Sequence, residues 1–152
     1  RQVLKRPNMQ VVIHHNPACG TSRNVLKIIE DAGYAPTVIP YLDIGWTRPQ
    51  LLALFAAADL TPRTALRTTK SPAEMLGLLA EDVAEETIFE AMLDNPVLVN
   101  RPIVCTRKGV KLCRPSETVL DLLEQWPAGP YAKEDGEIII DAGGTRHDCP
   151  SF

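Results

Sequence analysis

Residues 10–42, QVVIHHNPACGTSRNVLKIIEDAGYAPTVIPYL, decide the fold. Residues 10–14 form a short β-branched run that reads as a buried strand. Residues 15–21 are rich in turn formers. Residues 22–31 then carry Val25, Ile28 and Ile29 at helical spacing, with Gly33 as the stop. A second strand is expected over residues 36–42. Strand, helix and strand within about thirty residues predict a parallel pair joined by a right-handed crossover.

Outward from that unit the middle of the chain is helical. Thr47 caps a helix with Pro49 in its first turn and Leu51, Leu52, Leu54 and Phe55 on its apolar side. A shorter helix is expected over residues 72–79 and another over 84–93, ended by Asn95-Pro96. Residues 61–70 read as a turn. After Pro102 the pattern returns to strands, 103–106 and 110–113, around a turn at Arg107-Lys108-Gly109. A last helix starts at Ser116 and runs to about Gln125, lined by Val119, Leu122 and Leu123. In the Pro- and Gly-rich tail only residues 137–141 are expected to be ordered. The order β-α-β, helical insertion, β-β-α is that of an α/β, thioredoxin-like mixed sheet. A single domain is expected over residues 9–142, with the insertion at about 45–95 and flexible termini at 1–8 and 143–152.

The composition narrows the class of function. The chain of 152 residues is 45% hydrophobic and 23% charged, a globular balance, and only 5% aromatic, so aliphatic residues must fill the core. Its net charge of −3 argues against a nucleic-acid partner. No apolar stretch reaches the ~18–20 residues that span a bilayer, so a membrane role is not expected. The basic start RQVLKRPN runs into an apolar stretch too short for a signal peptide. The four cysteines, Cys19, Cys105, Cys113 and Cys149, are too sparse for a disulfide scaffold, and a reducing, cytoplasmic location is expected.

Cys19 lies between a strand and the start of a helix. There the unpaired N–H groups of the first turn and the positive end of the helix dipole favour a thiolate, and the same groups attract an oxyanion. Arg23, one turn on, is expected to add to that field. The neighbours Asn16, Pro17, Gly20, Thr21 and Ser22 are loop and cap residues, which weakens the alternative of a simple core cysteine. The spacing Cys19-Gly20-Thr21-Ser22 is C-x-x-S, so the loop cannot close its own dithiol and needs another thiol to resolve it. Val25 stands where the C-x5-R phosphate loop of small tyrosine phosphatases needs arginine. Neither a P-loop nor a Rossmann glycine pattern is present. His15 begins the loop and is the better candidate to tune the thiol; His14 reads as core or edge.

Arg67, Arg101 and Arg114 lie in loop-like settings, the last two each followed by proline, which favours extended backbone. Guanidinium forks suit tetrahedral oxyanions, although each arginine alone is more often solvated surface. The Arg101-Pro102 bond is a candidate cis-proline opposite the loop. Cys105 and Cys113 flank a turn and read first as core, with resolution of Cys19 by Cys113 a minority alternative. His147 and Cys149 make a weak metal pair, and no metal is assigned. The tail stretch KEDGE reads as solvated surface.

The stretches HNPACGTSRN, ALRTTK, LVNRPIV and LCRPSE, in that order, closely resemble the glutaredoxin-coupled arsenate reductases from about Met9 to Trp126, with a weaker echo in AKEDGE. Redox-sensing regulators of the same fold share HNPxC but carry C-x-x-C, and Ser22 points away from them. The resemblance implies a thioredoxin-like fold and reduction of arsenate to arsenite. Cys19 matches the nucleophile, His15 the histidine that tunes it, and Ser22 a polar neighbour of the thiolate. Arg67, Arg101 and Arg114 match the arginines that hold the oxyanion. Glutathione is implied as co-substrate and glutaredoxin as partner, with no bound cofactor. Thr68 stands where a basic residue is familiar, Cys105 is an extra thiol, and the tail after Ala142 is this chain's own. A glutathione-dependent thiol oxidoreductase with another substrate, or a regulatory protein-binding module, are the alternatives.

Overall fold

The computed structural model describes residues 9–148. Strand β1 (Val12–His14) pairs in parallel with β2 (Thr37–Ile39), Val12 opposite Thr37 and His14 opposite Ile39. Helix α1 (Gly20–Asp31) joins them and buries Ser22, Val25, Ile28 and Ile29. Gly33 ends the turn as expected: it adopts φ 100°, and its N–H reaches Glu30 O at 3.0 Å. Strand β2 is shorter than the expected 36–42, because Pro40 has no N–H with which to continue the ladder. The Pro40 carbonyl instead accepts from Asp43 and Ile44 and starts a short helix, α2 (Tyr41–Ile44).

The insertion contains α3 (Arg48–Ala58) and α4 (Glu85–Asp94). Thr47 and Gln50 form a reciprocal capping box at the head of α3. The helix expected over 72–79 is a single turn. Leu76 N–H bonds Pro72 O at 2.9 Å, and Leu78 N–H then returns to Ala73 O at 2.9 Å as Gly77 takes φ 73°. That closure is a helix-ending motif, and it ends the turn before a second can form.

Strands β3 (Ile103–Thr106) and β4 (Gly109–Leu112) form an antiparallel hairpin, and β3 also runs antiparallel to β1. The sheet order β2-β1-β3-β4 is mixed and has the thioredoxin-like connectivity expected. The last helix is corrected to a 3₁₀ helix, Ser116–Leu122. Its buried Ser116, Val119 and Leu122 recur every three residues, the period of that helix.

The sheet separates two cores. One collects Ile13, Val104 and Cys113 with Val25, Ile28 and Ile29 of α1 and Val119, Leu120, Leu122 and Leu123. The other packs Ile103, Cys105, Val110 and Leu112 against Leu51 and Phe55 of α3 and Ile88 and Phe89 of α4. The change of face between Ile103 and Val104 is the two-residue alternation of a strand.

The tail is not merely solvated surface. Strands β5 (Tyr131–Ala132) and β6 (Ile138–Ile140) form a hairpin with Ile139 and Ile140 buried in the first core. Within KEDGE, Lys133 reaches the fully buried Glu117 at 3.4 Å. Gly129 passes so close to Asp141 that a Cβ there would lie 1.8 Å from its carbonyl oxygen. Residues 143–148 turn back along β6, with His147 N–H on Ile139 O at 2.7 Å.

Candidate active site

The loop after β1 delivers Cys19 as the N-cap of α1, with φ −99° and ψ 122°. Cys19 N–H bonds Asn16 O at 3.1 Å, and Arg23 N–H bonds Cys19 O at 2.9 Å, so the residue is fixed at both ends. The thiol is 6% exposed. Burial is the largest single influence on it and opposes ionisation. The backbone N–H groups of Ser22 and Thr21, with the charges of Arg101 and Arg114, outweigh it and hold the pKa below the ordinary thiol value. Arg114 Nη1 lies 3.7 Å from the sulfur.

Three separate pieces of chain bring the arginines to this end of the sheet. An antiparallel bridge between Leu66 and Val99, flanked by Arg67 N–H on Leu98 O and Asn100 N–H on Ala65 O, each at 2.7 Å, ties the Arg67 segment to the one that carries Arg101. Arg67 is also held by its Nε on Thr69 O at 3.0 Å. Burial and the neighbouring charge of Arg101 lower its pKa, and Cys19 and Arg114 act on it as well. Arg101 precedes a cis proline, as expected, and Arg114 precedes another. Arg114 Nη1 also donates to Arg101 O at 3.2 Å, which ties the two residues together.

The pairing of the arginines separates them into two groups. Arg23, Arg48, Arg63, Arg107 and Arg146 each meet a carboxylate. None of the ion pairs among the described residues involves Arg67, Arg101 or Arg114. These are the three singled out from sequence. Arg23 interacts electrostatically with Cys19, as expected, and is also held in place: it donates to Pro17 O at 3.0 Å and is clamped by both Glu134 oxygens at 2.8 and 3.1 Å. It braces the loop from outside, while Arg101 and Arg114 act on the thiol and Arg67 lies in the same field.

Ser22 and His15 meet each other, not the sulfur. Ser22 Oγ lies 2.7 Å from His15 Nδ1 and accepts from Asn16 N–H at 3.0 Å. The hydroxyl thus bridges His15 Nδ1 and Asn16 N–H, its one proton and two lone pairs serving both partners in either tautomer of the ring. Burial and then Arg23 lower the His15 pKa, partly offset by Glu30, consistent with a neutral ring. Ser22 therefore serves the thiol with its backbone N–H and the loop with its side chain. His14 is core, as expected, with Nδ1 3.0 Å from Ile103 O.

Cys113 is fully buried in the first core, and burial pushes its thiol strongly up; Cys105 is half-buried and also raised. Both fit the packing role. Cys149 lies outside the described residues, and His147 bonds Asp141 at 2.8 Å. Among the described residues no group of three or more His, Cys, Asp or Glu side chains is placed to hold a metal. Sequence reasoning missed two buried polar residues here. Asn16 accepts from Ala18 N–H at 2.9 Å through its side chain and shapes the loop. Tyr41, just beyond β2, feels the charges of Arg101, Arg67 and Cys19. A strand-end tyrosine carries no local signal of such a position.

Comparison with known proteins agrees with this arrangement. Residues 14–122 match the ArsC family. The chain is 70% identical over 136 residues to the arsenate reductase ArsI2 of Synechocystis sp., covering 90% of this chain and 97% of that protein. It is 45% identical over 136 residues to an arsenate reductase of Escherichia coli K12, covering 90% and 96%. Among solved structures it is similar to an arsenate reductase from Vibrio cholerae, with a TM-score of 0.71 and 35% identity, covering 76% of this chain and 98% of that one.

Proposed function

The chain belongs to the ArsC family, and on that premise we propose that it reduces arsenate to arsenite through a covalent Cys19–arsenic bond, with glutathione and glutaredoxin as reductants. The observation that carries this reading is the segregation of the arginines. Those outside every ion pair of the described residues share the field of a thiol that burial alone would have left protonated. A cationic cradle beside an activated nucleophile suits a small tetrahedral oxyanion.

Arg67, Arg101 and Arg114 neutralise the arsenate and orient it. The Cys19 thiolate attacks arsenic, and with one proton from solvent a hydroxyl of the singly charged arsenate leaves as water. Arsenic is still pentavalent at this point. C-x-x-S provides no second thiol in the loop, so glutathione displaces a further oxygen as water. Glutaredoxin's thiolate then attacks the glutathione sulfur. The arsenic–glutathione bond breaks, its electron pair stays on arsenic, and a glutathione–glutaredoxin disulfide forms. Water releases trivalent arsenite from Cys19 and restores the thiol. Glutathione chemistry goes with a reducing compartment, and a cytoplasmic location belongs to the same proposal. Among the described residues no helix is long and apolar enough to cross a membrane.

The test is NADPH consumption with arsenate, glutathione, glutaredoxin and glutathione reductase, comparing the wild type with Cys19→Ser. Arsenate-dependent consumption that requires glutathione, glutaredoxin and Cys19 is the expected result. A wild type that stays silent while Cys19 titrates as a low-pKa thiol overturns the substrate assignment.

A further inference from the structure

We propose that Tyr41 is a further substrate ligand, its hydroxyl donating a hydrogen bond to an oxygen of the tetrahedral anion held by the three arginines. Tyr41 is 1% exposed, yet its hydroxyl has no hydrogen-bond partner. Burying a hydroxyl without a partner carries a desolvation penalty that proteins seldom leave uncompensated. Among the described residues only one other buried side-chain nitrogen or oxygen is in that condition, and it is Arg101 Nε. The two orphaned donors belong to groups that feel each other's charge, in the same field as Arg67 and Cys19. Two unsatisfied donors on groups that interact electrostatically, in the field of Arg67 as well, suit an acceptor-rich anion.

The position follows from the fold. Strands β1 and β2 are parallel, so their carboxyl ends lie side by side, and His15 N–H bonds Ile39 O at 2.9 Å. The Cys19 loop leaves the first of these ends and Tyr41 follows the second. The ring is fixed by stacking on Trp46, with centroids 4.9 Å apart and planes at 23°. Trp46 is in turn anchored by its indole N–H on Pro96 O at 3.3 Å and by the tilted ring of His14 at 5.4 Å. A ring held on that ladder presents its hydroxyl with little rotational freedom to lose on binding. Burial raises the phenol pKa, against lowering contributions from Asn16, Arg101 and Arg67, so the group remains a protonated donor. The Asn16 side chain lies close enough to the hydroxyl to interact with it and favour the phenolate, but in a geometry that leaves the hydroxyl without a satisfied hydrogen bond.

This inference rests on the proposed function only for the identity of the anion. The experiment therefore measures protection of Cys19 from iodoacetamide by arsenate, in the wild type and in Tyr41→Phe, alongside wild-type turnover. The variant is expected to need about tenfold more arsenate for the same protection, the scale of one hydrogen bond to a charged group. Its alkylation rate without arsenate, the pH profile of that rate and its Tm are expected to stay at or above wild-type values, because no structural bond is lost. Equal protection in both proteins overturns the proposal. So does a lowered Tm or a displaced alkylation profile, which would make the hydroxyl a brace of the loop. Absence of wild-type protection also overturns it. A wild type that is protected by arsenate but does not turn it over defeats the proposed function alone, and the protection ratio still decides on Tyr41.

Discussion

Cys19 and Cys113 are both buried, 6% and 0% exposed, and their chemistry is opposite. Cys113 sits among Val104, Val119 and Leu120 on the floor of the β3–β4 hairpin, with only the Lys111 carbonyl near its sulfur, at 3.7 Å. Nothing there favours a negative charge enough to offset burial, and its pKa is driven up. Cys19 is also buried, though less deeply, and faces two backbone N–H groups and two guanidinium groups, and its pKa is driven down. Burial sets the cost of ionising either thiol, and the oriented donors around the sulfur decide the outcome. Arg114 adjoins Cys113 in sequence, yet its cation serves Cys19, 95 residues away.

The sharpest way to break this comparison is to remove each sulfur in turn. Cys19→Ser is expected to lower arsenate turnover at least about a thousandfold, since no covalent route remains. Cys113→Ala is expected to keep turnover within about twofold and to cost about 1–3 kcal/mol of stability, read by denaturant unfolding. Comparable loss of turnover in both would make Cys113 a redox partner and dissolve the distinction.

Next in size is the donor set. Arg114→Ala is expected to reduce kcat/KM by about 30–100-fold, as removal of a charge-assisted contact does. It should also move the Cys19 alkylation profile to higher pH. The sign follows from the thiolate being the reactive form: a lowered pKa keeps the wild type reactive below the usual thiol range, and loss of a cation raises that pKa. An unchanged profile would mean that the backbone N–H groups act alone.

Ser22→Ala gives a smaller and different effect. The backbone N–H on the thiolate survives, while the brace to His15 and Asn16 is lost. The expectation is about 1 kcal/mol less stability by thermal unfolding with little change in the alkylation profile. A profile displaced as far as in Arg114→Ala would assign the stabilisation to the hydroxyl. Smallest is Glu134→Gln, which frees Arg23 from an exposed pair and should change kcat/KM by less than about twofold. A larger change, with a displaced thiol profile, would place Arg23 in the anion site beside Arg114.

Local residue chemistry made part of this protein legible. HHNPACGTSRN announces a thiol at a helix start because strand, turn and cap residues follow one another there, and each preference is satisfied within a few neighbours. The N-cap position of Cys19, the C-x-x-S spacing, the capping box at Thr47 and the hairpin at Arg107 to Gly109 are all of this kind. The expectations that failed are those in which a local pattern met a second constraint. Pro40 truncated β2, Gly77 closed the turn after Pro72, and three-residue spacing after Pro115 produced a 3₁₀ helix.

The sequence by itself determined the order of elements, the helix-start position of the candidate nucleophile Cys19 and the identities of three candidate arginines. Only the tertiary structure decided that, among the described residues, those arginines form no ion pair with a carboxylate, that Arg23 is tied to Glu134 of the tail, and that the Tyr41 hydroxyl is buried without a partner in the field of Arg101, Arg67 and Cys19. The physical reason is range. Caps, turns and helical faces are settled over a few residues, whereas ion pairing and burial depend on which distant segments the sheet brings together.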